Sequence, residues 1–259
     1  MQSSIFRIND IQWLAFYAMV VLCWIAIFVM IFEANRGAEL ESIYGSELWA
    51  TLCKPVENYG DWPYSFLMWA LMGIAMMVPT IYPTLQTYDD LMQLGEVPRL
   101  GFIHILLGFI LIWLIFAVLI SLIQVFLTEQ SMLNSEGKFI SPLASTILLL
   151  LAGLYQFSNM KQVCLQRCRH PFSFFLKSKN FRPVNMFLMG LSIGLFCLGC
   201  CWLLMMLAFV GGIMNIGFMA IATLVMVCEK LPKFGQYVTF PLSVLLLISG
   251  SLVAISHIN

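Results

Sequence analysis

Long apolar runs separated by short polar segments dominate the chain. Seven of them approach the roughly 20 residues with which a helix crosses a bilayer core of about 30 Å. They cover residues 11–32, 63–83, 101–127, 142–160, 184–209, 213–229 and 237–256. The runs lack the alternation of a transmembrane β-barrel, and backbone groups in lipid must be paired within the protein. The pattern therefore predicts an all-α, polytopic transmembrane helical bundle of about seven spans.

Composition supports a membrane environment. The chain is 61% hydrophobic and 10% charged, whereas soluble domains carry about 25% charged residues. Net charge is zero, which leaves no basic footprint for nucleic acid. We expect the lipid bilayer to be the main partner and nucleic acid to be excluded as one.

The chain divides into two predicted parts. Residues 1–62 hold the first transmembrane helix and an acidic extracytoplasmic loop, and residues 63–259 form a six-helix membrane domain with the Cys and Met motifs. The first run, Ile11 to Phe32, is long enough to span, so we expect it to be retained rather than cleaved as a signal peptide.

Orientation follows from the basic residues. The loop between the fourth and fifth runs contains six cations and no acid, which places it in the cytoplasm by the positive-inside rule: Lys161, Arg167, Arg169, Lys177, Lys179 and Arg182. The N-terminus is then cytoplasmic, in a multi-pass protein of the cell inner (plasma) membrane. The uncharged stretch from Val184 to Cys228 is too long for one crossing, so we expect it to fold back at Gly211-Gly212.

A cluster of cysteines lies inside the fifth run. Cys197, Cys200 and Cys201 are spaced so that a helix carries at least two thiols on one face, and Met205 extends that face. Thiolates and thioethers are soft ligands that favour Cu(I). A thiolate inside a span is costly unless a cation is bound, so the pattern predicts a metal site, with copper as the metal ion.

Methionines of two other runs are candidates for the same site. Counting about 1.5 Å of rise per residue in straight helices puts Met72 and Met214 in the outer half of the membrane, at a depth similar to that of the thiols, and Met76 below the centre. We therefore predict a metal site in the outer half of the membrane between runs two, five and six, with Met72, Met76 and Met214 among its ligands. Met68 belongs to the same stripe as Met72 and Met76. Methionine and buried cysteine are also ordinary core-filling residues, and packing is the alternative interpretation for all these positions.

A second pair, Cys164 and Cys168, lies at the cytoplasmic end of the fourth run among basic residues. Basic neighbours favour thiolate, so this is a possible second metal site or redox pair. The same helix count places it more than about 15 Å from Cys197 unless a helix breaks. Glu229, at the inner end of the sixth run, is predicted to pair with the basic loop.

These motifs resemble the bacterial "predicted metal-binding integral membrane protein" family, a family of unknown function, over roughly residues 62–233. The matching residues are Met68-Trp69, Ala75-Met76-Met77-Val78-Pro79, Gly153-Leu154-Tyr155-Gln156, Lys161, Cys164-Leu165, Cys168-Arg169-His170-Pro171, Gly190, Gly194, Cys197-Leu198-Gly199-Cys200-Cys201-Trp202, Leu204-Met205, Gly212-Ile213-Met214-Asn215 and Glu229-Lys230. The resemblance implies metal binding and supplies neither a reaction nor a substrate.

The leading hypothesis is a non-enzymatic membrane protein that binds or handles a soft metal ion through intramembrane Cys and Met ligands. Its partners would be a metal-delivering or metal-accepting protein or a larger membrane complex. Two alternatives remain open: a membrane thiol–disulfide oxidoreductase, and a structural subunit of a larger membrane complex in which the sulfurs only pack.

Overall fold

The computed structural model describes residues 8–36, 59–95, 97–134, 136–170, 175, 182–213, 215–231 and 235–258. Its α-helices are α1 (Ile8–Arg36), α2 (Trp62–Met77), α3 (Tyr82–Gln93), α4 (Gly101–Glu129), α5 (Pro142–Tyr155), α6 (Asn159–Arg169), α7 (Pro183–Met206), α8 (Ala208–Gly211), α9 (Ile216–Lys230) and α10 (Gly235–Ile258). Within the described ranges the β structure is limited to an isolated bridge between Leu133 and Phe139. The predicted all-α bundle is confirmed.

Five of the described helical segments are long and apolar enough to cross a membrane, and six if α5 and α6 count as one broken span. Helix α9, which corresponds to the sixth predicted span, has 15 residues. At about 1.5 Å per residue it is roughly 22 Å long, which is short of a bilayer core of about 30 Å. The count of seven spans, the N-terminal orientation and the domain boundary stay predictions, and most of the acidic loop lies outside the described residues.

The fourth predicted span, 142–160, is not one helix. Helix α5 ends at Tyr155, α6 begins at Asn159, and the two axes differ by 61°. Ser158 has extended backbone and caps α6, because its Oγ accepts a hydrogen bond from the Lys161 N–H at 3.1 Å. The cap begins a new helix in a new direction.

The second predicted span, 63–83, extends further than predicted. A 3₁₀ turn at Val78–Ile81 joins α2 to α3, so the helical segment runs from Tyr59 to Gln93. Pro79 lies in the first turn of the 3₁₀ segment, where its missing N–H costs no hydrogen bond. This turn brings Thr80 to the inside of the bundle, where it is buried.

The predicted reversal after the fifth span is confirmed. Helix α8 ends at Gly211, and Gly212 has a φ of +98°, a conformation that glycine adopts without strain. Asn215 then caps α9, since its Oδ1 accepts from the Phe218 N–H at 3.0 Å. The capped helix returns alongside α7.

Helices α4 and α7 form the closest packed pair in the bundle. A methyl group on Gly108 would lie 2.3 Å from the Phe187 carbonyl oxygen, and one on Gly190 would lie 2.2 Å from the Ile105 oxygen. The two backbones therefore touch through glycines, which is how membrane helices pack without a hydrophobic driving force. Helix α2 covers α4 on another side, α5 pairs with α10, and α6 lies against α7.

We expect Gly190→Ala to destabilise the bundle, because the new methyl group would meet backbone, which cannot rotate away. Overpacking costs about 1–3 kcal/mol, and the loss should appear as a lower thermal midpoint in detergent, followed by tryptophan fluorescence. Gly60→Ala is the control, since nothing lies within 4 Å of its added methyl group. Equal midpoints for the two variants would contradict the close approach of α4 and α7.

Candidate metal centre

The three cysteines of α7 are buried together. Cys197, Cys200 and Cys201 are each 1% exposed. The Cys200 Sγ lies 3.3 Å from the Cys201 Sγ, and the Cys200 thiol donates to the Cys197 carbonyl oxygen at 3.1 Å. The thiols thus face the bundle interior and not the acyl chains.

A lysine ammonium lies directly against this cluster. Lys230, the last residue of α9, is 3% exposed, and its Nζ lies 2.8 Å from both the Cys197 Sγ and the Thr80 Oγ1. The Thr80 hydroxyl donates to the Met77 carbonyl oxygen at 2.6 Å and lies 3.7 Å from the Cys197 Sγ. Its oxygen is therefore free to accept from the ammonium.

This contact changes the predicted neighbours of the thiols. The straight-helix count put the beginning of the sixth span beside them. The structure instead has Cys197 beside Lys230, at the end of α9, and beside Thr80, in the turn after α2. The count failed because α9 has only 15 residues and ends beside the middle of α7. The depth of the thiols in the membrane stays a prediction.

The second cysteine group, Cys164 and Cys168, lies close to the three cysteines of α7. Because α6 turns away from α5 and packs on α7, a methyl group on Gly199 would lie 2.8 Å from the Cys164 Sγ. The Cys168 thiol is within interaction range of the Cys200 thiol. The predicted separation of more than about 15 Å, which assumed straight helices, is wrong. Cysteines of α6 and α7 form one neighbourhood.

Two further hydrogen bonds hold α5 and α6 at this level. The Tyr155 hydroxyl, at the end of α5, donates to the Gly199 carbonyl oxygen. The Arg169 Nε, at the end of α6, donates to the Glu229 carbonyl oxygen at 2.9 Å. These hydrogen bonds link the end of α5 to α7 and the end of α6 to α9.

A buried ion pair fixes α6 to α9. The Lys161 Nζ donates to both carboxylate oxygens of Glu229, at 3.0 and 2.9 Å, and also to the Gln156 amide oxygen. Lys161 is 0% and Glu229 1% exposed. The predicted pairing of Glu229 with the basic segment is confirmed. Gln156 belongs to the same network, as expected for a polar side chain within a span.

The methionine candidates are buried but untested as ligands. Met72, Met76 and Met205 are each 2% exposed, and Met214 lies outside the described residues. Among the residues that the structure describes, no group of three or more His, Cys, Asp or Glu side chains has the geometry to hold a metal ion. The assignment of these cysteines and methionines as metal ligands stays a prediction.

Sequence reasoning missed Thr80, Tyr155 and Lys230 as neighbours of the thiols. Lys230 could have been recognised from the sequence as a residue that needs a polar partner, because a charged side chain directly after an apolar run must either be paired or reach water. Ser158 followed by a polar stretch is also a recognisable helix start. Thr80 and Tyr155 gave no signal of their own, because hydroxyl side chains inside spans commonly bond to their own helix.

A cavity of about 370 Å³ adjoins the ammonium. It lies between α1, the 3₁₀ turn with the start of α3, and α9, and its walls are almost entirely apolar, with Phe16, Tyr17 and Tyr82 among them. Thr80 and Lys230 also line it. The two polar residues that contact Cys197 are therefore part of the cavity wall.

A comparison with known protein families shows which family the chain belongs to. A family model, PpoB2, described as copper chaperone, matches residues 66–253. The chain belongs to the PpoB2 copper chaperone family. The matched residues include α6, α7 and α9, hence the whole thiol neighbourhood with its lysines. No curated protein and no solved structure matches the chain significantly. The narrower resemblance to the "predicted metal-binding integral membrane protein" family stays a prediction.

The ion pair yields a stability prediction. Glu229→Leu leaves the Lys161 ammonium buried without its carboxylate, and breaking a buried pair in this way costs about 3–5 kcal/mol. We expect a large drop in the thermal midpoint in detergent, and recovery of most of it in Lys161→Met/Glu229→Leu, which removes both charges.

The exposed pair of Glu136 and Lys138, 2.6 Å apart, provides the matched control. Glu136→Gln should change stability by only about 0–1 kcal/mol, the usual value for a surface pair. A Glu229→Leu variant as stable as the parent protein would show that the pair is not needed to hold α6 on α9.

Proposed function

We propose that this protein is a copper chaperone of the cell inner membrane that binds Cu(I) between α6 and α7 and passes it to an acceptor protein. Family membership supports the link to copper. One observation supports the site: Cys197, Cys200 and Cys201 of α7 are buried together, with the Cys200 and Cys201 sulfurs 3.3 Å apart, and the partly exposed Cys168 of α6 lies beside Cys200.

The chemistry of the donors favours Cu(I). Thiolate is a soft ligand, and soft ligands select Cu(I) over hard cations. Cu(I) also accepts as few as two such ligands, so one thiol from each helix, or Cys197 with Cys200, is sufficient. Binding would deprotonate the ligating thiols, release their protons to solvent and leave the oxidation state of the metal unchanged.

The methionines have a proposed role in transfer. Met205 lies one helical turn beyond Cys201 on α7, and Met76 and Met72 lie one and two turns before Thr80 on the α2 segment. Thioethers bind Cu(I) without having to lose a proton. We assign Met72, Met76 and Met205 as weaker ligands along the path of the ion, and Cys164 as an additional thiol beside the cluster. The predicted ligand Met214 lies outside the described residues.

The first test is copper binding by cysteine variants. We expect Cys197→Ser/Cys200→Ser to lose Cu(I) affinity by more than the roughly 10–100-fold that removal of a second-shell partner costs. Affinity would be measured anaerobically in detergent, by competition with a chromophoric Cu(I) chelator. Cys23→Ser removes a buried thiol of α1 and is the matched control.

X-ray absorption on the copper-loaded parent protein completes this test. Sulfur ligands are expected, and a first shell of nitrogen and oxygen only would refute the assignment. So would a double variant that binds Cu(I) as tightly as the parent protein. Elemental analysis of the protein as purified gives an independent measure of which metal it carries.

The contact between the Cys200 and Cys201 sulfurs favours one competing function, a thiol–disulfide oxidoreductase. The two atoms are 3.3 Å apart, whereas a disulfide bond measures about 2.05 Å, and the described cysteines are free thiols. Alkylation under oxidising and reducing conditions separates the two functions. A chaperone should show the same number of reactive thiols in both conditions, and a redox pair should lose two on oxidation.

A further inference from the structure

Lys230 is deeply buried at the end of α9. The residue is 3% exposed, and its Nζ donates to the Cys197 Sγ and the Thr80 Oγ1 at 2.8 Å. The thiols of Cys168, Cys200 and Cys201 also lie within electrostatic range of it. Burying an ammonium in a medium of low dielectric constant is costly unless an opposite charge compensates it.

The nearby carboxylate does not provide that charge. Glu229 is adjacent in sequence, but both of its oxygens accept from Lys161. Within the described part of the chain, the recorded salt bridges join Lys161 to Glu229 and Lys138 to Glu136, and neither includes Lys230. Arg169 is a second cation near the Cys168 and Cys200 thiols. Its Nε donates to the Glu229 carbonyl oxygen, and one of its other guanidinium nitrogens is buried, although the residue as a whole is partly exposed. Lys230 differs from Arg169 in that its nitrogen contacts a thiol sulfur directly.

We propose that Lys230 is a built-in counter-charge that makes this site selective for monovalent over divalent soft cations. Two thiolates with Cu(I) carry a net charge of −1, which the ammonium cancels. Two thiolates with Zn(II) or Cd(II) are already neutral, so the ammonium adds an uncompensated buried charge. The selectivity arises from charge matching, and it rests on the proposed copper-binding function.

Lys230 is a positioning residue, since it touches a ligand sulfur and not the metal. Lys230 lines the apolar cavity together with Thr80, and we expect a methionine of similar length to fit in its place. Lys230→Met therefore removes the charge with little change of shape. Lys230→Arg keeps the charge, and Thr80→Val removes one of the two acceptors that hold the ammonium in place.

The experiment compares four metals in the full-length protein in detergent: Cu(I), Ag(I), Zn(II) and Cd(II), each by competition with a chelator of known affinity. In Lys230→Met we expect Cu(I) and Ag(I) affinities to fall together by about 10–100-fold, the usual effect of losing a second-shell partner. Zn(II) and Cd(II) affinities should stay equal or rise. Lys230→Arg should keep the parent ratio, and Thr80→Val should shift it in the same direction by less.

The control is Lys138→Met, which removes the positive charge of the exposed Lys138–Glu136 pair and should leave the ratio of monovalent to divalent affinity unchanged. If Lys230→Met leaves the ratio of monovalent to divalent affinity unchanged, the proposal is wrong. An equal loss of affinity for all four metals would also contradict it, because that result would indicate a purely structural role. If Lys230→Met does not fold, the ratio in Thr80→Val decides. Failure of the parent protein to bind Cu(I) would instead refute the proposed function, so the two failures are distinguishable.

Discussion

The need to compensate buried charge dominates the interior of this protein. Lys161 and Glu229 are both inaccessible to solvent and can remain ionised there only as a pair. Their contact joins α6, which follows a break in the chain, to the end of α9. Once these two helices are held together, the next residue of α9, Lys230, is carried to the Cys197 thiol. One ion pair thus determines which groups surround the sulfurs.

The break between α5 and α6 has the complementary effect. A continuous helix over residues 142–160 would have carried Cys164 and Cys168 to the membrane surface, far from α7. The cap at Ser158 and the 61° bend instead lay a polar helix across the glycine at position 199. The absence of a side chain on Gly199 leaves room for the Cys164 sulfur. The cysteine pair of α6 and the three cysteines of α7, which are distant in sequence, therefore lie close together.

The elements that depend on the length of an apolar run or on the flexibility of a glycine could be predicted from the sequence. Apolar length predicted the membrane helices, and the Gly211-Gly212 reversal followed from chain length and glycine flexibility. Which residues of different helices lie side by side was not predictable by counting residues. The count assumes straight helices that cross completely, whereas α9 has 15 residues and the fourth run bends. The same error separated Cys164 from Cys197. Lys230 was visible as a charge at the end of an apolar run, but its partner depended on packing among three helices.

In the proposed function, ligands from separate helices would help the protein to release the copper ion. If all the thiols lay on α7, a bound ion would move with one rigid element, and nothing in the bundle could part the ligands. Here Cys168 belongs to α6, which begins at a capped break and is held by Lys161 and Arg169. A small rotation about that break would separate the thiols of α6 from those of α7 while leaving the α4–α7 glycine contact intact. The elements that assemble the site are also those by which it can be opened.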